Sequence, residues 1–288
     1  MSVKKAVILA GGFGTRFLPA TISMAKEMFP IVDMPILFYH LKECVDSGIT
    51  DCLIISKKEK TEIDEFVNPS KKLINKLTKA NKLDLLDEYY QVRNKLNIKI
   101  IYQKQANGSG AAVYLAKKWV DGDNFVLFNG DDLFNCDIPA TKQLRNVFNK
   151  IGKSVCMAQE VERKNISKYG CVKPGKIYKD YMEALEIVEK PKADEAPSLY
   201  AVVGRYLLTS EIFEKLEHIS PQNGEYYATD AINLLASENK CVVAPLNGEY
   251  CDCGNKLEYA KTFVKYMLKR QDLGSDFATY LKQVTKYL

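Results

Sequence analysis

The run Val3 to Leu9 leads into Ala10-Gly11-Gly12-Phe13-Gly14-Thr15-Arg16, a short strand-like segment that passes directly into a glycine-rich turn and then a cation. This junction constrains the fold more than any other stretch. A brief apolar run bounded by turn residues reads as a strand buried on both faces, the kind found in a parallel sheet covered by helices. The segments that follow repeat the theme. Pro35 to Ser47 reads as a helix stopped by Gly48, Asp51 to Ile55 as a second buried strand, and Glu59 to Val67 as a short helix. Strands at Ile98 to Tyr102 and Asn124 to Phe128 bracket a helix at Ala111 to Trp119, and a helix at Ile138 to Asn149 precedes a strand at Ser154 to Gln159. Alternation of this kind is the signature of βαβ units. Between them, Lys71 to Leu96 reads as a helical insertion broken near Asn81, whose lysines form a solvated face.

After residue 160 the texture changes. Gly170 to Lys173, Glu183 to Val188 and Ala201 to Leu208 are strand-like and separated by Lys/Gly/Pro loops, which predicts a mixed, partly antiparallel part. Helices at Ser210 to Leu216 and Thr229 to Ser237, a strand at Cys241 to Leu246, and closing helices at Lys256 to Lys269 and Ser275 to Tyr287 complete the chain. With 288 residues and no repeat or evident linker, the expectation is one α/β domain, a helix-sheet-helix sandwich with a mixed, mostly parallel sheet and a smaller β-rich part.

Composition narrows the chemistry. Only two histidines occur, so neither a histidine metal site nor a Ser-His-Asp relay has much to draw on. His40 lies on a predicted helix and reads as a satisfied structural residue; His218 reads as a loop residue without a role. Eight cysteines lack any Cys-x-x-Cys pair and read as reduced, buried thiols, and the lone Trp119 as core. The net charge of +5 is too mild to argue for nucleic acid. No apolar run approaches the roughly 18 residues of a membrane span, and the first apolar stretch does not resemble a signal peptide. The expected setting is cytoplasmic, without a membrane or nucleic-acid partner.

Glycines after a strand let backbone amides approach a ligand closely and cradle phosphate oxygens. The turn is not a Walker loop, because no Gly-Lys-Ser/Thr follows, nor a dinucleotide fingerprint, because Phe17 stands where a third glycine would fall. A bland tight turn would look similar, but Arg16 supplies a guanidinium suited to phosphate.

With Leu18-Pro19-Ala20-Thr21, Lys26-Glu27-Met28 and Pro30-Ile31-Val32-Asp33, this segment resembles the sugar-1-phosphate nucleotidyltransferases, and among them the uridylyl-transferring members. Four more motifs appear in order: Gln103 with Gly108-Ser109-Gly110, Gly130-Asp131-Asp132, Val188-Glu189-Lys190-Pro191 with Val203-Gly204-Arg205-Tyr206, and Asp252-Cys253-Gly254-Asn255-Lys256. The chain departs from the family pattern at Ile22, Ala25, Met34, Ala111 and Tyr226-Tyr227-Ala228, none of which removes a residue the chemistry requires.

The resemblance implies a Rossmann-like core, with a nucleotide-binding half at about residues 1–135, a sugar-phosphate half at about 136–255 and C-terminal helices at about 256–288. It implies transfer of a uridylyl group from UTP to glucose 1-phosphate, giving UDP-glucose and pyrophosphate with Mg²⁺; transfer by a relative with another base, such as a thymidylyltransferase, is the alternative. By resemblance, Arg16 and Lys26 hold the triphosphate, Gln103 reads the base with backbone at Ala10, Gly11, Gly12 and Gly108, and Asp131 and Asp252 ligate the metal. Gly170 and Glu189 contact the sugar, and Lys190 neutralises its phosphate. The apolar residues of the closing helices, among them Phe263, Tyr266, Met267, Leu273, Phe277 and Leu281, fit either docking within the chain or a subunit interface; family behaviour favours a homodimer or homotetramer.

Overall fold

The computed structural model describes residues 3–287; Met1, Ser2 and Leu288, which the domain expectation included, lie outside the described residues. Among the described residues the strands are β1 Lys5–Leu9, β2 Pro30–Ile31, β3 Met34–Pro35, β4 Asp51–Ser56, β5 Asn97–Tyr102, β6 Phe125–Asn129, β7 Asp132–Asn135, β8 Ser154–Glu160, β9 Gly170–Ile177, β10 Met182–Glu189, β11 Tyr200–Leu208, β12 Cys241–Pro245 and β13 Glu249–Asp252. Nine of them form one sheet in the order β5-β4-β1-β6-β11-β8-β12-β10-β9. The β5-β4-β1-β6 side is parallel throughout. Beyond β6 the sheet is mixed, because β11 runs antiparallel to both β6 and β8, and β10 to both β12 and β9.

Successive residues of β1 serve opposite cores: Ala6 and Ile8 face one cluster, Val7 the other. Burial on both sides is why this strand reads as a continuous apolar run rather than an alternating one. Helices Ile36–Asp46, Thr61–Val67, Asp87–Arg93 and Ala140–Ile151 pack on the first face. Helices Gly108–Tyr114, Lys117–Val120, Ile212–His218 and Ala228–Ser237 cover the second. The result is the expected α/β/α sandwich.

Several boundaries differ from the sequence expectation. The helix placed at Ala111 to Trp119 begins at Gly108 and is broken into two pieces at Leu115 and Ala116, and Trp119 is half-buried against the second core. His218 ends a helix, its Nδ1 set 2.7 Å from the Glu214 carbonyl. The insertion does break at Asn81, which adopts φ +50°. All eight cysteines are unpaired and seven are buried, Cys136 being half-buried. Four short strands were not anticipated, β2 with β3 and β7 with β13, since two to four residues carry too little periodicity to register.

The C-terminal helix Lys256–Lys269 docks within the chain on the β2-β3 hairpin. Tyr259 meets Phe17 and Phe29 edge-to-face at 5.7 and 5.9 Å, and its hydroxyl donates to the Pro30 carbonyl at 2.6 Å. Among the described residues no helix is long and apolar enough to cross a membrane.

Candidate active site

The chain leaves β1 for β4 and β5 on one side, then returns to β6 on the other, so the carboxyl ends of β1 and β6 form a topological switch point. Ligands of open α/β sheets bind in that crevice. Leu9 is level with Asn129, so the glycine turn after β1 and the Gly130-Asp131-Asp132 turn after β6 emerge side by side. Two cavities open there. One, of about 440 Å³, is lined by Gly11, Gly12, Lys26, Gln103, Gly108 and Asp131. The other, of about 260 Å³, is lined by Arg16, Asp131, Gly170, Glu189, Lys190 and Asp252. Asp131, Asn129 and Ser109 border both.

In the first cavity, Gln103 is buried at the end of β5, its N–H donating to the Ser56 carbonyl at 2.8 Å. A side-chain carbon on Gly11 would stand 2.7 Å from Gln103 Oε1. Only glycine lets the amide and the turn share this space. Ala10 is fully buried, and both its backbone groups are engaged: its N–H donates to the Ile55 carbonyl at 2.8 Å, and its carbonyl accepts from Lys60 Nζ at 2.6 Å. Phe13 is exposed over Lys57 Nζ, 3.0 Å from its ring centroid.

Lys26 and Asp131 pair at 2.5 Å. Burial alone would lower the lysine pKa, but Asp131 and then Glu27 hold it above its ordinary value. Burial would likewise raise the Asp131 carboxyl, and Lys26 holds it below the usual range. Both groups are therefore charged at neutral pH. Glu27, fully buried, is paired with Lys60 at 2.8 Å, yet burial still pushes its pKa up.

The β13-β7 ladder sets Asp252 level with Asp132, which brings Asp252 beside Asp131. A side-chain carbon on Gly254 would collide with Asp131 Oδ2 and lie 3.0 Å from Asp252 Oδ1, so the missing side chain leaves a space that two carboxylates face. Burial and the nearby Asp131 push Asp252 up, and burial with Asp131 and Asp252 pushes Asp132 up to about 7. Asp132 is spoken for, accepting from Tyr250 Oη at 2.7 Å and Asn129 Nδ2 at 2.9 Å. Asp131 and Asp252 face the same space with part of each carboxylate engaged, Asp131 Oδ2 by Lys26 and Asp252 Oδ1 by the Gly254 N–H at 2.9 Å, and they are the pair placed to take a cation. Among the described residues no group of three or more His, Cys, Asp or Glu side chains converges as a metal site. Two carboxylates short of a full shell fit Mg²⁺, which keeps waters and takes phosphate oxygens.

At the second cavity, β10 ends at Glu189, and Lys190 turns into the left-handed region at φ +44° just before Pro191. Successive residues of a strand point to opposite faces; ending the strand here brings Lys190 Nζ to 3.4 Å from Glu189 Oε1. Gly170 lies level with Glu189 on β9. Lys190 Nζ stands 5.2 Å from the centroid of Tyr227. Arg16 is exposed and reaches the Gly254 carbonyl at 3.5 Å.

Thus the nominated residues converge on one crevice, except that Ala10 lies under it with its backbone occupied. Lys60, Glu27, Asn129, Tyr227 and Tyr250 also shape the site without having been singled out. Lys60 and Tyr250 carry no sequence signal, while Glu27 and Tyr227 stand within segments that were read and Asn129 adjoins one.

Residues 5–268 match the Nucleotidyl transferase family. The chain is 38% identical over 98% of each chain to the UTP–glucose-1-phosphate uridylyltransferase of Staphylococcus epidermidis. It superposes with a TM-score of 0.86 on a UDP-glucose pyrophosphorylase crystallised with UDP-glucose, at 31% identity covering 93% of this chain and 100% of that one. The UTP-bound enzyme of Acinetobacter baumannii gives 0.89 at 31% identity, covering 97% and 98%. With the family match running over nearly the whole chain and a relative 38% identical over 98% of it, the chain belongs to the nucleotidyl transferase family.

Proposed function

We propose that the chain transfers a uridylyl group from UTP to glucose 1-phosphate, giving UDP-glucose and pyrophosphate. The observation that carries this reading is Asp131, paired with Lys26, on the border of both cavities. One cavity suits a nucleotide, with a buried amide at Gln103 and a glycine turn; the other suits a sugar phosphate, with Glu189 and Lys190. The half at about residues 1–135 would hold the nucleotide and that at about 136–255 the sugar phosphate.

A phosphate oxygen of glucose 1-phosphate attacks the α-phosphorus of UTP; a P–O bond forms, the bond to the β-phosphate oxygen breaks, and pyrophosphate leaves with the electron pair. That nucleophile is already ionised at pH 7, so no general base is required, and catalysis comes from positioning and charge neutralisation. Lys26 and Arg16 hold the triphosphate, Lys190 the sugar phosphate, and Glu189 with the Gly170 backbone accepts and orients the hydroxyls. Asp131 and Asp252 would hold Mg²⁺, which supplies charge neutralisation at the phosphates when bound. Exposed Leu257, Leu268 and Tyr280 on the closing helices, with Leu273 in the turn between them, support assembly as a homodimer or homotetramer. Unpaired cysteines and the lack of a membrane-length helix among the described residues support a cytoplasmic setting.

The test is pyrophosphate release with glucose 1-phosphate and each nucleoside triphosphate in turn. UTP is expected to give the highest kcat/KM, with UDP-glucose as product. A strong preference for dTTP would move the chain to the thymidylyl-transferring branch.

A further inference from the structure

We propose that Arg205, acting with His40 and Glu43, is a positioning residue for Asp131: it fixes the turn that carries this carboxylate by gripping its backbone from beneath, without reaching either cavity. The proposal rests on the reading of Asp131 as the carboxylate shared by the two substrates.

Arg205 is fully buried on β11, level with Phe128 of β6. The pairing of β11 with β8 is irregular between Val203 and Tyr206, so a bulge falls at Gly204 and Arg205. Bulges beside active sites commonly aim a side chain. The guanidinium lies over Phe128 at 3.9 Å and near Phe134 at 4.9 Å.

All five of its N–H donors are used. Nε donates to Glu43 Oε1 at 3.0 Å and Nη2 to Glu43 Oε2 at 2.8 Å, a bidentate pair. Nη1 donates to the carbonyls of Asp132 at 3.1 Å and Gly204 at 2.9 Å. The remaining Nη2 hydrogen meets His40 Nδ1 at 3.0 Å. A guanidinium only donates, so Nδ1 accepts and the proton of the neutral ring sits on Nε2. That N–H then donates to the Gly130 carbonyl at 3.0 Å. Cys253 N–H donates to the Asp131 carbonyl at 2.9 Å. Three consecutive carbonyls, Gly130, Asp131 and Asp132, are therefore each held, the outer two by one hydrogen-bonded unit. Glu43 is itself anchored by the Thr141 N–H at 3.0 Å and hydroxyl at 2.7 Å.

Stability alone is a poor reason for this arrangement. A buried ion pair usually gains little over well-packed apolar residues, because both charges lose their water. What apolar packing could not supply is the pair of directed bonds, from Arg205 Nη1 to the Asp132 carbonyl and from His40 Nε2 to the Gly130 carbonyl, that fix the backbone on either side of Asp131.

The experiment compares Arg205→Lys, which keeps a charge opposite Glu43 but loses the fork, with His40→Leu and His40→Gln. Steady-state pyrophosphate release is measured together with amide hydrogen exchange of the metal-free proteins. For Arg205→Lys, kcat is expected to fall about a hundredfold, as for a small misplacement of a reacting group, while both KM values stay within about threefold. Amides of residues 129–133 should exchange about tenfold faster while those of β4 and β5 keep their protection. His40→Leu should show the same pattern more weakly, and His40→Gln, which retains a donor toward Gly130, should recover most of the loss. Normal kcat with unchanged exchange in the 129–133 turn overturns the proposal. Faster exchange throughout the sheet with unchanged kcat per folded molecule overturns it as well, because it assigns the network to fold support alone. If Arg205→Lys does not fold, the two His40 variants decide by the same criteria. A wild-type protein that releases no pyrophosphate from UTP refutes the proposed function, whereas the exchange comparison still judges the clamp.

Discussion

Lys190 shows how a single backbone conformation serves the site. A non-glycine residue in the left-handed region costs roughly 1–2 kcal/mol, and the proline that follows restricts it further. The Lys190 N–H donates to the Tyr169 carbonyl at 3.1 Å, which helps hold the turn. Strain kept in this way is typical of functional positions. Replacing Lys190 with Ala is expected to raise KM for glucose 1-phosphate about tenfold or more while KM for UTP changes less than about threefold. Steady-state kinetics with each substrate varied will show it, and an effect confined to UTP would assign the lysine to the nucleotide. His40 carries a second residue-scale prediction. Burial and then the Arg205 guanidinium lower its pKa from 6.5 to about 3. The unfolded chain therefore binds the extra proton between those values, and the stabilisation, complete above about pH 6.5, is lost as pH falls toward 3. Between pH 6.5 and 5 this amounts to about 2 kcal/mol. Urea unfolding of wild type and His40→Gln at both pH values should show that difference, and parallel pH dependences would mean the histidine titrates normally.

At the scale of elements, the short pieces matter most. The β13-β7 ladder brings Asp252 beside Asp131, and neither strand was legible: each is four residues long, and their pairing joins distant parts of the chain. The long elements were legible because two-sided burial and helical spacing leave many residues agreeing, as in β1, β4 and the helix Lys256–Lys269. The bulge at Gly204 and Arg205 was not, since its register depends on β8. The glycine turn was legible as a motif, but the reason for Gly11 was not, because Gln103 reaches it from β5. Gly11→Ala forces the Gln103 amide aside and is expected to raise KM for UTP about tenfold, leaving KM for glucose 1-phosphate within about threefold. Equal rises in both would show that the turn supports the whole crevice rather than the nucleotide alone.

Over the whole molecule, one continuous sheet carries both cavities. The parallel run β5-β4-β1-β6 supplies much of the lining of the first cavity, and the mixed run from β11 to β9 much of the second. β11 joins the two and carries Arg205 beneath the turn that both share. The scarcity of histidine fits this plan, because a phosphate attacking a phosphate needs cations and carboxylates rather than a base. The central claim is that Asp131 serves both substrates at once, and Asp131→Asn tests it most directly. Turnover of UTP and glucose 1-phosphate at saturating Mg²⁺ should fall about a thousandfold, on the scale of losing a major electrostatic contribution, with the circular dichroism spectrum unchanged. Near-wild-type turnover by a folded Asp131→Asn protein would contradict the account.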